Sequence, residues 1–131
     1  MLVLDTDIVA ELERGNARVI SALKELLVRY PGNLVVPSSV YAEVYYGLLS
    51  CSREKAAEGL ERLESYEVLA FDKAAAQVFS KLKSDLEKTG QIIPVFDLVT
   101  SAIVIQAGAV LVSNDEHFKR VSGLKLVSLN A

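Results

Sequence analysis

The chain opens on an apolar run, Leu2-Val3-Leu4, that stops abruptly at Asp5-Thr6-Asp7, a carboxylate, a hydroxyl and a second carboxylate. A run without alternation suits a central strand covered on both faces, as in parallel α/β sheets, where ligands bind just beyond the strands' C-terminal ends. Asp5 therefore stands where a site would open. The rest of the chain alternates short strands with helices. Leu34 to Val36 and Val110 to Val112 read as further buried strands, Tyr66 to Phe71 as a half-alternating one, and Leu124 to Leu129 as a final strand at an edge. Val19, Leu23, Leu26 and Leu27 form the stripe of a core-facing helix capped by Asn16. Pro37-Ser38-Ser39 starts another helix, and Asp72 caps a long one from Lys73 to Thr89. Leu98 to Ala107, apolar nearly all round, reads as a buried helix. Such alternation implies an α/β fold: a single domain over 1–131, with three α/β/α layers around a central parallel sheet of four to five strands.

A chain of 131 residues is about one domain, so one site is sought. The hydrophobic fraction of 51% is high, yet no apolar stretch approaches the ~18 residues of a membrane span. Buried helices account for the excess. The chain begins directly in a strand, without the pattern of a secretory signal, so a cytoplasmic protein with no membrane role is expected. Cys51, the one cysteine, has no disulfide partner and no zinc-spaced ligands, and reads as a small buried hydrophobe. A net charge of −3 argues against a protein held on nucleic acid by its overall field. Acids clustered around a divalent cation would still permit a nuclease, with Arg14, Arg18, Arg53, Lys55, Lys119 and Arg120 as candidate backbone contacts.

Four acids converge in this reading. Asp5 and Asp115 each end a strand, Asp97 stands at the N-terminus of the buried helix, and Glu43 lies one turn into the Ser38 helix on the face of Val40, Val44 and Gly47. Singly, each Asp is explained as an N-cap worth ~1 kcal/mol, and Glu43 as a solvated helix residue. Jointly, carboxylates at one crevice repel unless something cationic holds them. Oxygen ligands without a His or Cys shell select Mg²⁺ or Mn²⁺, ions suited to phosphate substrates and to phosphodiester hydrolysis. His117, the only histidine, follows Asp115 too closely to define a triad and reads as a surface residue.

These residues resemble the PIN domain (PilT N-terminus) ribonucleases, especially the small VapC-type toxins, over essentially the whole chain. Leu4-Asp5-Thr6 matches the opening motif, Ser38-Ser39-Val40 with Ala42-Glu43 the second, Asp97 with Ser101-Ala102 the third, and Ser113-Asn114-Asp115 with Phe118 the fourth. The resemblance implies a Mg²⁺- or Mn²⁺-dependent endoribonuclease whose metal is held by Asp5, Glu43, Asp97 and Asp115, with Thr6, Ser113 and Asn114 as supporting polar residues. It also implies an RNA substrate, a homodimer, and a cognate antitoxin protein whose tail occupies the active-site groove. The chain departs from the pattern at Asp7, where many members have Asn, at Val95-Phe96, where polar or small residues are common, and at His117, a place often acidic.

Two other readings compete. Asp5-Thr6-Asp7-Ile8-Val9 after a strand also resembles the nucleophile motif of haloacid-dehalogenase-like phosphohydrolases, with Asp5 attacking phosphorus and Asp7 as acid/base. The short chain, with no cap domain and no convincing motif lysine before Asp115, weighs against it. The other is a PIN fold retained as a non-catalytic RNA- or protein-binding module, against which stands the presence of all four acids.

Overall fold

The computed structural model describes residues 1–129; Asn130 and Ala131, the last two positions of the expected single domain, lie outside the described residues. Among the described residues the elements run β1 (Leu2–Leu4), α1 (Thr6–Glu13), α2 (Ala17–Arg29), β2 (Val35–Pro37), α3 (Ser38–Leu48), α4 (Arg53–Glu64) and β3 (Glu67–Leu69). They continue through α5 (Lys73–Lys88), α6 (Val95–Gln106), β4 (Val110–Val112), a 3-10 helix (Glu116–Arg120) and β5 (Leu126–Val127). The five strands form one parallel sheet in the order β3-β2-β1-β4-β5.

β1 lies at the centre, and that is why its sequence does not alternate. Leu2 and Leu4 point to one face, where they meet Val36, Val110 and Val112 of the neighbouring strands and Ile8, Val9, Leu23, Leu26 and Val40 of α1, α2 and α3. Val3 points to the other, with Val35 and Leu111, against Val104 of α6 and Phe118. Leu86, Ile93, Leu98 and Val121 then tie α5 to α6 behind that face. Each fully buried aliphatic side chain contributes roughly 2 kcal/mol, so the sheet is stabilised from both sides and the architecture is three-layer α/β/α.

The strand order contains one topological switch point. From β1 the chain goes to β2 and β3 on one side, then crosses to β4 on the other. Leu4 pairs with Val112, and the Asp5 N–H donates to the Val112 carbonyl at 3.1 Å, so both strands release their chains at the same level. That is the crevice in which open α/β sheets bind ligands.

Several local expectations change. α6 begins at Val95, three residues before the expected Leu98, because Pro94 occupies the cap position with extended ψ and the helix starts directly after it. Asp97 is therefore inside the first turn rather than ahead of it. The third strand and the last shorten to Glu67–Leu69 and Leu126–Val127, both at sheet edges. Cys51 is exposed, not buried: it sits in the tight turn between α3 and α4, where Ser50 and Cys51 N–H groups donate to the Gly47 and Leu48 carbonyls. Among the described residues no helix is long and apolar enough to cross a membrane.

Asp72 caps α5, accepting from the Ala75 N–H at 2.8 Å. Replacing Asp72 by alanine should lower the unfolding free energy by about 1 kcal/mol, and Asp72→Asn should leave it unchanged, as read from urea denaturation. A full effect in the asparagine variant would assign Asp72 something other than capping.

Candidate active site

Asp5 is carried on the first residue after β1 and is only 6% exposed. It stands at the N-cap position of α1 with extended backbone, yet its side chain makes no capping bond. Its Oδ2 accepts instead from Ser113 Oγ at 2.7 Å, across the β1–β4 boundary. Ser113 Oγ in turn accepts from the Asp115 N–H at 3.1 Å, so one buried hydroxyl links the two strand-end acids. Burial pushes the Asp5 carboxyl up to about 7; the hydrogen bond from Ser113 opposes this, and the charges of Asp7 and Asp97 add to it.

Asp97 and Asp115 meet at His117. The His117 Nδ1 lies 3.2 Å from Asp97 Oδ2 and 3.1 Å from Asp115 Oδ1. Burial, followed by the charge of Asp115, holds the Asp97 carboxyl above the usual range, with His117 acting in the opposite direction. The surface reading of His117 thus fails: its ring is half-buried between two carboxylates. Asp115 also caps the 3-10 helix through the His117 N–H at 2.9 Å, and the same tight turn brings the ring back over the carboxylate. The usable signal was Asp115-x-His117 just after a strand, a spacing too short for a catalytic triad but suited to two groups converging on one point.

Glu43 reaches the edge from α3. Its carboxylate accepts from Thr6 Oγ1 at 3.0 Å, and it adds to the charge felt by Asp97. Contrary to the inward placement expected from the helical face, Glu43 and Gly47 are exposed, while Tyr41 and Val44 of the same helix stay half-buried against the core. A buried bond between Ser39 Oγ and Thr100 Oγ1, 2.6 Å, clamps the start of α3 to α6 and so fixes the elements that carry Glu43 and Asp97.

The remaining polar residues divide between the site and its walls. Asn114 uses its side chain to accept from the Leu129 N–H at 2.7 Å and Ser128 Oγ at 3.0 Å, holding the C-terminal segment. Its backbone N–H donates to Asp7 Oδ2 at 2.9 Å. The other oxygen of Asp7, Oδ1, is buried without a hydrogen-bond partner, and burial raises the Asp7 carboxyl as well. Among the described residues, the only ion pairs made by Asp5, Asp7, Glu43, Asp97 and Asp115 are those with His117. A cavity of about 790 Å³ continues from Asp7 and Asn114 between α1 and α2, with Arg18 on its wall. The other expected cationic contacts are engaged in part: Arg14 pairs with Glu11, Lys119 with Glu116, and Arg120 donates to the Ile92 carbonyl.

With an acidic crevice at the β1–β4 switch point described, its kinship can be stated. Residues 2–124 match the PIN domain family. The chain belongs to that family. No protein of curated function matches it in sequence. Among solved structures, this PIN domain is similar to a chain of VapBC2 from Rickettsia felis bound to a DNA fragment from their promoter, at 28% identity, 97% coverage of both chains and a TM-score of 0.85. It is also similar to VapBC-1 from nontypeable Haemophilus influenzae, at 25% identity, coverage of 98% of this chain and 97% of that one, and a TM-score of 0.83. FitAcB from Neisseria gonorrhoeae shares the fold, with a TM-score of 0.84 at 22% identity over 98% of each chain. The phosphohydrolase reading loses its footing here, and the geometry agrees: Asp7, its required acid/base, is turned onto the Asn114 backbone.

Proposed function

We propose that this PIN domain is a divalent-metal-dependent endoribonuclease and the toxin of a toxin–antitoxin pair. The observation that carries the reading is the convergence of Asp5, Glu43, Asp97 and Asp115 at one sheet edge, with no lysine or arginine paired to them among the described residues. Burial and mutual repulsion raise Asp5 and Asp97, the state expected of acids arranged for a cation. The donor set fits such an ion, Mg²⁺ or Mn²⁺, held by Asp5, Glu43, Asp97 and Asp115. When bound, the ion supplies an activated water and neutralises charge on the scissile phosphate.

The protein's own groups prepare that site. The Ser113 hydroxyl donates to Asp5 and accepts from the Asp115 backbone N–H, so it orients both acids, while Thr6 orients Glu43. The net result is a fixed set of oxygens, which keeps reorganisation small during reaction. Arg18, on the wall of the cavity that Asp7 also lines, is suited to a phosphate of an RNA strand running out between α1 and α2.

A cognate antitoxin and a homodimer complete the reading. Its support is the exposed apolar surface: Tyr46 at 77%, Leu49 at 71% and Ile92 at 84% exposure, with Val95 and Phe96 next to Asp97. Isolated apolar side chains are common on surfaces, but Tyr46 and Leu49 follow Glu43 at the end of α3, and Val95 and Phe96 directly precede Asp97. The similar VapBC structures named above are two-component complexes by name.

The test is cleavage of a panel of RNA oligonucleotides with Mg²⁺, with Mn²⁺ and with EDTA, using Asp97→Asn protein purified in parallel. Cleavage should require the ion and be lost in the variant. Equal cleavage with EDTA or by Asp97→Asn would remove the metal mechanism, and no cleavage under any condition would favour a binding module.

A further inference from the structure

His117 is the feature that an all-oxygen metal site does not use. We infer that His117 Nδ1 is itself a metal ligand, forming with Asp97 and Asp115 a mixed oxygen–nitrogen site that takes Mn²⁺, Co²⁺ or Zn²⁺ in preference to Mg²⁺. This rests on the metal-dependent reading above and assigns the ion class and one further ligand.

The geometry is that of a coordination face. One atom from each of Asp97, Asp115 and His117 lies within 4.8 Å of the other two. The Nδ1 distances to the two carboxylates are 3.2 and 3.1 Å. Two ligands at right angles on an ion with bonds of ~2.1 Å stand about 3.0 Å apart, which is close to the separation of His117 Nδ1 from each carboxylate. The three residues come from two separately anchored elements. Asp97 rides on α6, whose Leu98 is buried next to it, and His117 precedes Phe118, 1% exposed in the core. The His117 N–H is bound by Asp115, which fixes the turn that presents the ring.

The chemistry sets the selectivity. Mg²⁺ prefers oxygen and gives up its water reluctantly, whereas imidazole nitrogen favours later first-row ions. A ring held at this position therefore adds little for Mg²⁺, more for Mn²⁺ and most for Co²⁺ or Zn²⁺. The competing role is an ion pair alone, with the imidazole proton between the carboxylates.

The experiment uses the full chain. Mn²⁺, Co²⁺ and Mg²⁺ affinities are measured by titration calorimetry for wild type, His117→Ala and His117→Asp, with circular dichroism as the check on folding. Pulsed electron paramagnetic resonance of bound Mn²⁺ then reports whether an imidazole nitrogen is coordinated, a readout that needs only the wild-type protein. The expected result is a nitrogen coupling in wild type that His117→Ala removes, a loss of Mn²⁺ and Co²⁺ affinity of ~10-fold or more, and little change for Mg²⁺. His117→Asp, which restores an all-oxygen face, should shift preference toward Mg²⁺. Mn²⁺ bound without nitrogen coupling would overturn the inference and leave the metal-dependent nuclease intact. Mg²⁺ binding without Mn²⁺ or Co²⁺ binding would overturn the inference alone, and absence of binding by all three ions would overturn both.

Discussion

Asp5→Asn should reduce RNA cleavage by roughly 100-fold or more while raising the melting temperature of the metal-free protein at pH 8. The two effects have one origin. Asp5 is buried at 6% exposure in the company of Asp7 and Asp97, and its carboxyl is raised to about 7. At pH 8 the folded protein must carry that charge in a poorly solvated place without a cation, which opposes folding. Asparagine keeps the shape and keeps an acceptor for Ser113 Oγ, whose bond to Asp5 is 2.7 Å. It also brings an amide NH₂ that needs an acceptor, and the neighbouring Asp7 Oδ1, which is unpartnered, can accept from it. The gain is thus a fraction of the ~4 kcal/mol that the shift from 3.8 to about 7 represents. Paired thermal melts and cleavage assays decide it. Wild-type activity in the variant would remove Asp5 from the site, and a lower melt at pH 8 would show that the charge is not what strains it.

The legible parts of this protein are those where one physical demand acts alone. Leu2-Val3-Leu4 could be assigned to a central strand because burial on both faces excludes polar residues, and the structure puts that strand in the middle of five. Asn16 and Asp72 were readable as caps because a helix start leaves N–H groups that a short polar side chain satisfies, and both accept the expected bonds. The convergence of β1 and β4 followed from parallel connectivity, which sends strand ends to one edge. Where two demands overlapped, the sequence was ambiguous. Asp5 and Asp97 look like caps in one dimension, but Asp5 makes no cap bond and Asp97 sits inside a turn that Pro94 begins. Glu43 shares a helical face with Val40, and periodicity does not reveal that Glu43 is exposed while Val44, one residue on, stays half-buried against the core. His117 lies two residues from Asp115 in a 3-10 turn, a local geometry no helix or strand periodicity describes. Asn114, a supporting polar residue by the resemblance, also accepts with its side chain from Ser128 and Leu129 just after β5, a long-range contact that no local pattern announces.

The metal-free protein should lose stability as pH rises from about 4.5 to 8, and a saturating divalent ion should reverse that loss. Asp5 has a folded-state value of about 7 against an ordinary 3.8, and Asp7 and Asp97 are shifted in the same upward direction. A raised value means that the folded state binds more protons than the unfolded chain over the interval between the two. The stabilising contribution is therefore complete below about pH 4 and lost as pH rises through about 7. For Asp5 alone the loss is on the order of 4 kcal/mol as an upper bound, because partial solvent entry relaxes a buried charge. A divalent ion meets the opposite condition, since it binds the ionised carboxylates and is repelled by protonated ones. At a hundred times its dissociation constant it adds about 2.7 kcal/mol, worth roughly 10 °C for a chain of this size. Melting curves at pH 5, 6.5 and 8, each with EDTA and with Mn²⁺, give the comparison. The expected pattern is a melt that falls with pH in EDTA and a Mn²⁺ increment that grows from near zero at pH 5 to its maximum at pH 8. A Mn²⁺ increment independent of pH would place the ion on groups already ionised at pH 5, away from Asp5. A melt that rises with pH in EDTA would mean that the buried acids are compensated by the protein itself, and the crevice would then be a network of structural hydrogen bonds rather than a site kept ready for a cation.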